Sequence, residues 1–498
     1  MSNEIEQQDG VAVSAKHPAF LTVFPSIMLP MFLAVVDQTI VATALPAIAA
    51  ATGDVGRASW IVVAYLIAAT IAAPIYGRLG DSFGRKPVMF VALVLFIVAS
   101  VLCAASPTIL MLTLARILQG LGGGGLMTLS QALVGETIPP RERARYQGYL
   151  AAVAVCANTF GPVAGGYLTE HFGWQSIFLV NVPIGLGGML LAARLPAPRA
   201  DRLKWTSDPG GLVYFTVFVT MALLALEQVQ HANIAQLPTG GALLVVGLIA
   251  LALLVRHENR AESPLIPLKL LRMSEIWHSD AMAACHGAAL VSLITFMPVF
   301  LEVVREASPS ETGVLLVPLT IGIGAGSLLT GRLVSRTGRT TVYPVTGLIF
   351  ATLTLLIMAV WASDLSNITI SVLLLLNGLF MGPVMGVVQV IVQNAAGSLR
   401  LGEAAASVQF SRSIGAAFGT ALVGTVLFAF LALRNPEAAR VFAEMVEHLG
   451  GGGPAISAAQ RGAIHGDIVA AFRAAFLLIG AFTAAGCVLA YTNPQRRI

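Results

Sequence analysis

Charge is scarce in this chain. Only 25 acidic and 29 basic residues occur among 498, 11% in all, against roughly 25% in a soluble protein, so water cannot be its main solvent. Cysteine is scarcer still. Cys103, Cys156, Cys285 and Cys487 sit inside apolar stretches without CxxC or Cys/His spacing, which excludes a disulfide scaffold and a thiolate metal site and predicts small buried hydrophobes. The nucleotide-binding loop GxxxxGK[ST], HExxH, GxSxG and paired carboxylates within the apolar runs do not occur, so neither ATP use nor an enzyme is expected. The pI is near 9.0, yet the basic residues form no continuous patch, which argues against nucleic acid. No cofactor or metal is implied, and a monomer is expected.

What the chain has is apolar length. Hydrophobic residues make up 56% and gather in runs of about 20, the length a helix needs to cross a hydrocarbon core about 30 Å thick. A β-barrel would instead alternate over short segments. Fourteen apolar windows are separated by Gly, Pro or charge. They predict an all-α polytopic membrane protein: a tail at 1–19, six spans over 20–195, a basic linker with two inserted spans over 196–278, six more spans over 279–491, and a tail at 492–498. The longest outer connection, 432–467, carries the run Gly450 to Gly453. The first apolar run is too long for the core of a cleaved signal peptide, so it is expected to stay.

An even number of spans puts both termini on one side. If that side is the cytoplasm, inner connections and tails hold 21 of the 29 Lys and Arg and outer ones six, which is the positive-inside pattern and predicts a multi-pass protein of the plasma or bacterial inner membrane. The other two, Arg116 and Arg412, lie within spans.

The chain also repeats itself. GRLGDSFGRKPV (Gly77 to Val88) and GRLVSRTGRTTV (Gly331 to Val342) agree at six of twelve positions at an offset of 254. At an offset of 258, Gly120 meets Gly378, Gln131 meets Gln389, and Gly161 meets Gly419. Two parallel six-helix halves follow, packed about an axis along the membrane normal. The surplus pair, 209–229 and 238–256, reads as a peripheral insertion outside any pathway.

Several residues resist a purely structural reading. Asp37 lies mid-span, where an ionised carboxylate is costly unless paired, and Arg116 is its natural partner; the alternative is a static ion pair. Gly77 and Gly84 permit a tight reversal, and Asp81, Arg85 and Lys86 can form a latch at the cytoplasmic rim, beside plain positive-inside anchoring. The Gly120 to Gly125 stripe permits close helix approach, and Gly161, Pro162, Gly165 and Gly166 combine small residues with a proline kink suited to a gating hinge. Arg412 has no obvious acidic partner and either faces a substrate cavity or bonds backbone carbonyls. Gln119 and Gln389 are further cavity candidates. Interfacial solvation accounts for Glu302, Glu306 and Asp280, and His286 reads as a satisfied core histidine.

Four blocks together, DQTIVATALPAI from Asp37, GRLGDSFGRKPV, LARILQGLGGGG (Leu114 to Gly125) and GPVAGG (Gly161 to Gly166), resemble the major facilitator superfamily and specifically its fourteen-span drug:proton antiporter branch. Ser82 stands where that family usually has a basic residue, and Ala157 replaces the first glycine of the span 5 pattern. The resemblance implies a proton-coupling role for Asp37 with Arg116 as its charge partner, and exchange rather than symport for the span 5 block. The expected function is a proton-coupled secondary exporter of amphipathic drugs or toxic compounds working by alternating access. A lipid or metabolite exporter of the same fold, or a transporter-like sensor, is the competing reading.

Overall fold

The computed structural model describes residues 18–54, 57–195, 207–230, 237–261, 264–266, 268–447 and 458–498. The tail before residue 18, most of the basic linker and the Gly450 to Gly453 run lie outside the described residues. In chain order the helices are α1 (Pro18–Thr52), α2 (Ser59–Phe83), α3 (Arg85–Ala104), α4 (Ile109–Thr137), α5 (Pro140–Phe172), α6 (Ser176–Leu179), α7 (Asn181–Ala192), α8 (Pro209–Gln230) and α9 (Leu237–Glu258). They continue with α10 (Leu268–Leu271), α11 (Ser274–Val303), α12 (Pro309–Thr337), α13 (Val342–Trp361), α14 (Asn367–Met381), α15 (Pro383–Ala396), α16 (Leu401–Arg434), α17 (Pro436–Glu447) and α18 (Ala458–Thr492).

Twelve of the described helical segments are long and apolar enough to cross a bilayer, and Ser176–Ala192 and Pro209–Ala225 are shorter apolar helices. Some segments start where a side chain caps them. Thr108 caps α4 by accepting the Met111 N–H, and Ser308 and Glu311 form a reciprocal capping box on α12, satisfying donors that a helix start leaves bare. The two copies of the repeated loop turn on equivalent glycines. Gly84 has φ +95° and Gly338 φ +68°, a backbone region in which a side chain is strained. The chain at 493–498 lies against the second copy, with the Ile498 N–H bonded to the Gly338 carbonyl at 2.9 Å.

The buried hydrophobic residues fall into two large cores, one drawn from Phe24 to Leu195 and the other from Leu270 to Ala490. Helix α2 packs on α16 and α5 on α12 to join them. The α8–α9 hairpin is not remote from this seam. Phe215 and Val219 of α8 pack with Ile67, Ile71 and Ile75 of α2 and Phe410 of α16, so the hairpin straddles helices of both cores. The 432–467 connection contains α17, whose Phe442 packs into the second core beside Phe428 and Phe472.

Candidate functional site

Asp37 and Arg116 meet in the interior of the first core, 0% and 1% exposed. Arg116 Nη1 donates to Asp37 Oδ2 at 2.5 Å, while Asp37 Oδ1 accepts from Gln119 Nε2 at 2.8 Å and Asn181 Nδ2 at 2.7 Å. The guanidinium has further partners: Nη1 donates to Gln119 Oε1 at 2.6 Å, Nε to the Ile61 carbonyl at 3.3 Å, and its face lies 4.2 Å from the Tyr65 ring centroid. The glycine stripe of α4 makes room for that ring, since a Cβ at Gly120 would sit 2.5 Å from the Tyr65 carbonyl oxygen and one at Gly123 would strike the Tyr65 hydroxyl. Ser100 extends the network by accepting from Gln119 Nε2 at 2.9 Å. Every donor here is charge-assisted or backed by a second bond, the condition for holding charges in a low-dielectric interior.

Gln119 therefore belongs to the ion-pair network and is fully buried, a correction to its reading as a cavity residue. Asn181 and Ser100 were missed. Their signal was present: each is a polar residue within an apolar run, and Asn181 begins α7 where the sixth apolar segment breaks.

The second copy of the repeat keeps the neutral part of this network and drops its charges. Asn377, at an offset of 258 from Gln119, donates to Thr354 Oγ1 at 2.8 Å, and Thr354 is at an offset of 254 from Ser100. At the position matching Arg116 stands Leu374.

At the end of the molecule that carries both described chain ends, the cores are pinned together. Asp81 of α2 accepts the Gly402 N–H at 2.9 Å and the Glu403 N–H at 3.0 Å, so a carboxylate from one core caps the first turn of α16 in the other, where the helix dipole favours negative charge. Arg85 bonds to Asp81 and, at 2.7 Å, to Glu136. A Cβ on Gly77 would sit 2.5 Å from the Gly402 carbonyl oxygen; two glycines let the backbones touch. Gly84 supplies the turn between Asp81 and Arg85. Lys86 does not join: its Nζ donates to the carbonyls of Ala193 at 2.8 Å and Leu195 at 2.7 Å. Arg143 to Asn394 at 2.8 Å and Gln393 to the Gln131 carbonyl at 2.8 Å add bonds across the same end.

On α5, Gly161 and Gly165 pack on α1 so closely that a Cβ at either would strike Thr39 or Thr43. Gly166 has open space instead, with nothing within 4 Å of an added Cβ. Pro162 is exposed within an unbroken α5. Arg412 lines a small seam pocket with Gln38, Met127 and Gln409, and its Nε donates to Gln409 Oε1 at 3.4 Å. Gln389 is buried on α15 with an unpartnered amide nitrogen and lies outside that wall.

Three expectations need correcting. Asp280 is buried, not interfacially solvated, because α16 covers it. His286 is buried with Nδ1 unpartnered, so it is not a fully satisfied core histidine. Cys156 is exposed, unlike Cys103.

The sequence pattern of the Major Facilitator Superfamily matches residues 27–420. The chain belongs to that superfamily. An uncharacterized MFS-type transporter of Mycobacterium tuberculosis (strain ATCC 25618 / H37Rv) is 34% identical over 409 residues, 82% of this chain and 60% of the relative; the chain thus spans about 60% of that relative's length. The multidrug transporter protein MdtP of Bacillus subtilis (strain 168) is 29% identical over 80% of this chain and 74% of its own. Among solved structures, the human organic anion transporter MFSD10 superposes with a TM-score of 0.68 at 13% identity, covering 95% of this chain and 100% of that one. This superfamily member shares with it the fold of a multi-pass membrane protein, and the superfamily is one of transporters, not enzymes.

Proposed function

We propose that the protein is a proton-coupled antiporter that exports amphipathic compounds by alternating access. The observation that carries this reading is the dry Asp37–Arg116 pair. Neutralising Asp37 with a proton would normally strand a guanidinium in oil, at a cost of several kcal/mol. Here Gln119, the Ile61 carbonyl and the Tyr65 face already hold Arg116, so Asp37 can gain and lose a proton while its partner stays satisfied. Protonation removes the charge that gathers α1, α4 and α7 at one point, and those helices are then free to shift against one another. Asp81 on the α16 N-terminus acts as the latch that holds the inner side shut. The driving force is a gradient worth about 2.3 kcal/mol per charge per 100 mV.

The fourteen-span arrangement follows if Ser176–Ala192 and Pro209–Ala225 also cross, giving two six-helix halves, an inserted hairpin and both termini in the cytoplasm of a plasma or inner membrane. The relatives named as multidrug transporters support drugs as cargo. Arg412, the charged residue in the seam pocket wall, favours cargo with an anionic or polarised group. A drug-susceptibility panel with and without the protein, joined to substrate-induced proton release from the purified protein, tests the reading. Uptake or release with no proton movement would overturn coupling, and unchanged susceptibility with lipid flipping would favour a lipid exporter.

A further inference from the structure

A second pocket, of about 510 Å³, opens between α11, α16, the inserted helix α8 and the short helix α10, within the range of about 300–1,000 Å³ typical of small-molecule sites. Phe410 borders both this pocket and the seam pocket, and its ring centroid is 5.3 Å from that of Phe215 on α8. The hairpin therefore forms one wall of a chamber that would otherwise be bare α16. The rest of the lining is apolar, with Leu270 and Trp277 among it, except for Asp280, Glu403 and serine hydroxyls.

Asp280 belongs to no ion pair among the described residues, and Glu403 has only a long one with Arg400. Asp280 is 7% exposed. Its Oδ1 accepts a single long bond from Ser407 Oγ at 3.4 Å, and Oδ2 has no partner. Glu403 Oε2 accepts no hydrogen bond, and the Arg400 guanidinium stands 3.9 Å from it. No lysine, arginine or histidine lines the pocket among the described residues. An unpaired carboxylate facing an apolar chamber is costly by itself and is complementary to one kind of guest: positive charge carried on apolar bulk. Trp277 of α11, 55% exposed, stands at the rim and offers an aromatic face to a cation.

The geometry points to a binding site for lipophilic monocations, an ammonium or phosphonium on an apolar body, reached from the bilayer between α10 and α11 and held by Asp280. The site goes beyond the export reading, because occupancy needs no gradient and no movement of the halves. It also gives the inserted hairpin a task that its lack of embedded cations hides.

The test is equilibrium binding of tetraphenylphosphonium to the detergent-purified full chain, with cross-linking by a benzophenone-bearing alkyltrimethylammonium probe to locate the site. Labels are expected on α10 and around Trp277 and should be displaced by tetraphenylphosphonium. Asp280→Asn should weaken binding by about tenfold or more, as expected for loss of a desolvated charge-assisted contact. Asp280→Glu should retain most of it, and Ala281→Trp, which fills the chamber and leaves the charge, should abolish it. Labels confined to the seam around Gln38 and Gln409, or unchanged affinity in Asp280→Asn, would overturn the assignment. So would displacement of the probe by phosphatidylethanolamine in nanodiscs, which would give the chamber to lipid. Binding that persists in a protein unable to pump would sink the export reading alone.

Discussion

The carboxylate of Asp81 is bonded to the N–H of Gly402, 321 positions away, at 2.9 Å. The latch between the cores is thus an anion on a helix end, with no cation required from the second core. Ser82 therefore leaves the latch intact: Arg85, itself anchored by Glu136, holds Asp81 from its own side. Asp81→Asn loses charge-assisted bonds worth about 1.5–3 kcal/mol and should shift the population toward the inner-open arrangement by roughly ten- to a hundredfold. Spin labels at Arg141 and Arg336, exposed at this end, should move apart; an unaltered distance distribution would show that the latch lies elsewhere.

Asp37→Asn fixes the uncharged state while Gln119, the Ile61 carbonyl and the Tyr65 face still hold Arg116, so it should abolish all proton-linked transport at a stability cost of only about 1.5–3 kcal/mol, the worth of the charge-assisted bond it weakens. Thermal unfolding and proton release measured on the same preparation separate the two losses. Arg116→Lys should not rescue function, because an ammonium cannot reach Asp37, Gln119 and the Ile61 carbonyl at once as the planar guanidinium does. Full coupling in the Lys variant would mean that charge alone, without the fork of donors, is enough.

How much of this could be read in advance depends on whether a residue's partner is a charged side chain or a backbone group. The ion pair was legible because a lone Asp and a lone Arg in oil must find each other. Asp81 could be seen as polar at a rim, but its target is a backbone N–H, and backbone groups leave no mark in a sequence. The burial of Asp280 depends on α16 crossing over it, and the bonds of Lys86 depend on where α7 ends; both are tertiary facts. The turn at Gly84 was legible as a tight reversal, and Gly338, its counterpart at an offset of 254, takes the same region of φ. Asn181 was overlooked because a single amide in an apolar run looks neutral until a carboxylate is brought to it.

Asn181→Ala removes one of the two donors to Asp37 Oδ1 and should cost about 1.5–3 kcal/mol, the net worth of a hydrogen bond to a charged group. Because Gln119 and Arg116 remain, the fold should survive while substrate-induced proton release falls, since the bond that ties α7 to Asp37 of α1 is lost. Unchanged proton release would remove Asn181 from the coupling network and leave it as packing.

The α5 glycines give an internal control. Gly165→Ala drives a methyl into Ile40 and Thr43, whereas Gly166→Ala meets nothing within 4 Å. Overpacking typically costs about 1–3 kcal/mol, so Gly165→Ala should lower both the unfolding temperature and the transport rate, and Gly166→Ala should match the parent in both. Equal damage from the two would mean that the block acts through backbone flexibility and not through the α1 contact.

The hairpin is docked by Asp208, which precedes α8. Its carboxylate accepts the Gly211 N–H at 2.9 Å, the His257 ring Nε2–H at 2.7 Å and the Leu265 N–H at 3.3 Å. Burial alone would raise its pKa, but these donors outweigh burial and hold the carboxyl below the usual carboxylate range. A depressed carboxyl stabilises the folded state above the unfolded value of about 3.9, and that contribution fades as pH falls through the lower folded value. The dock should therefore stay closed at neutral pH and loosen only under stronger acid than about pH 4. Limited proteolysis of the 196–206 connection across that window checks it: Asp208→Asn should be cleaved faster at neutral pH, and acid should add little further to its cleavage.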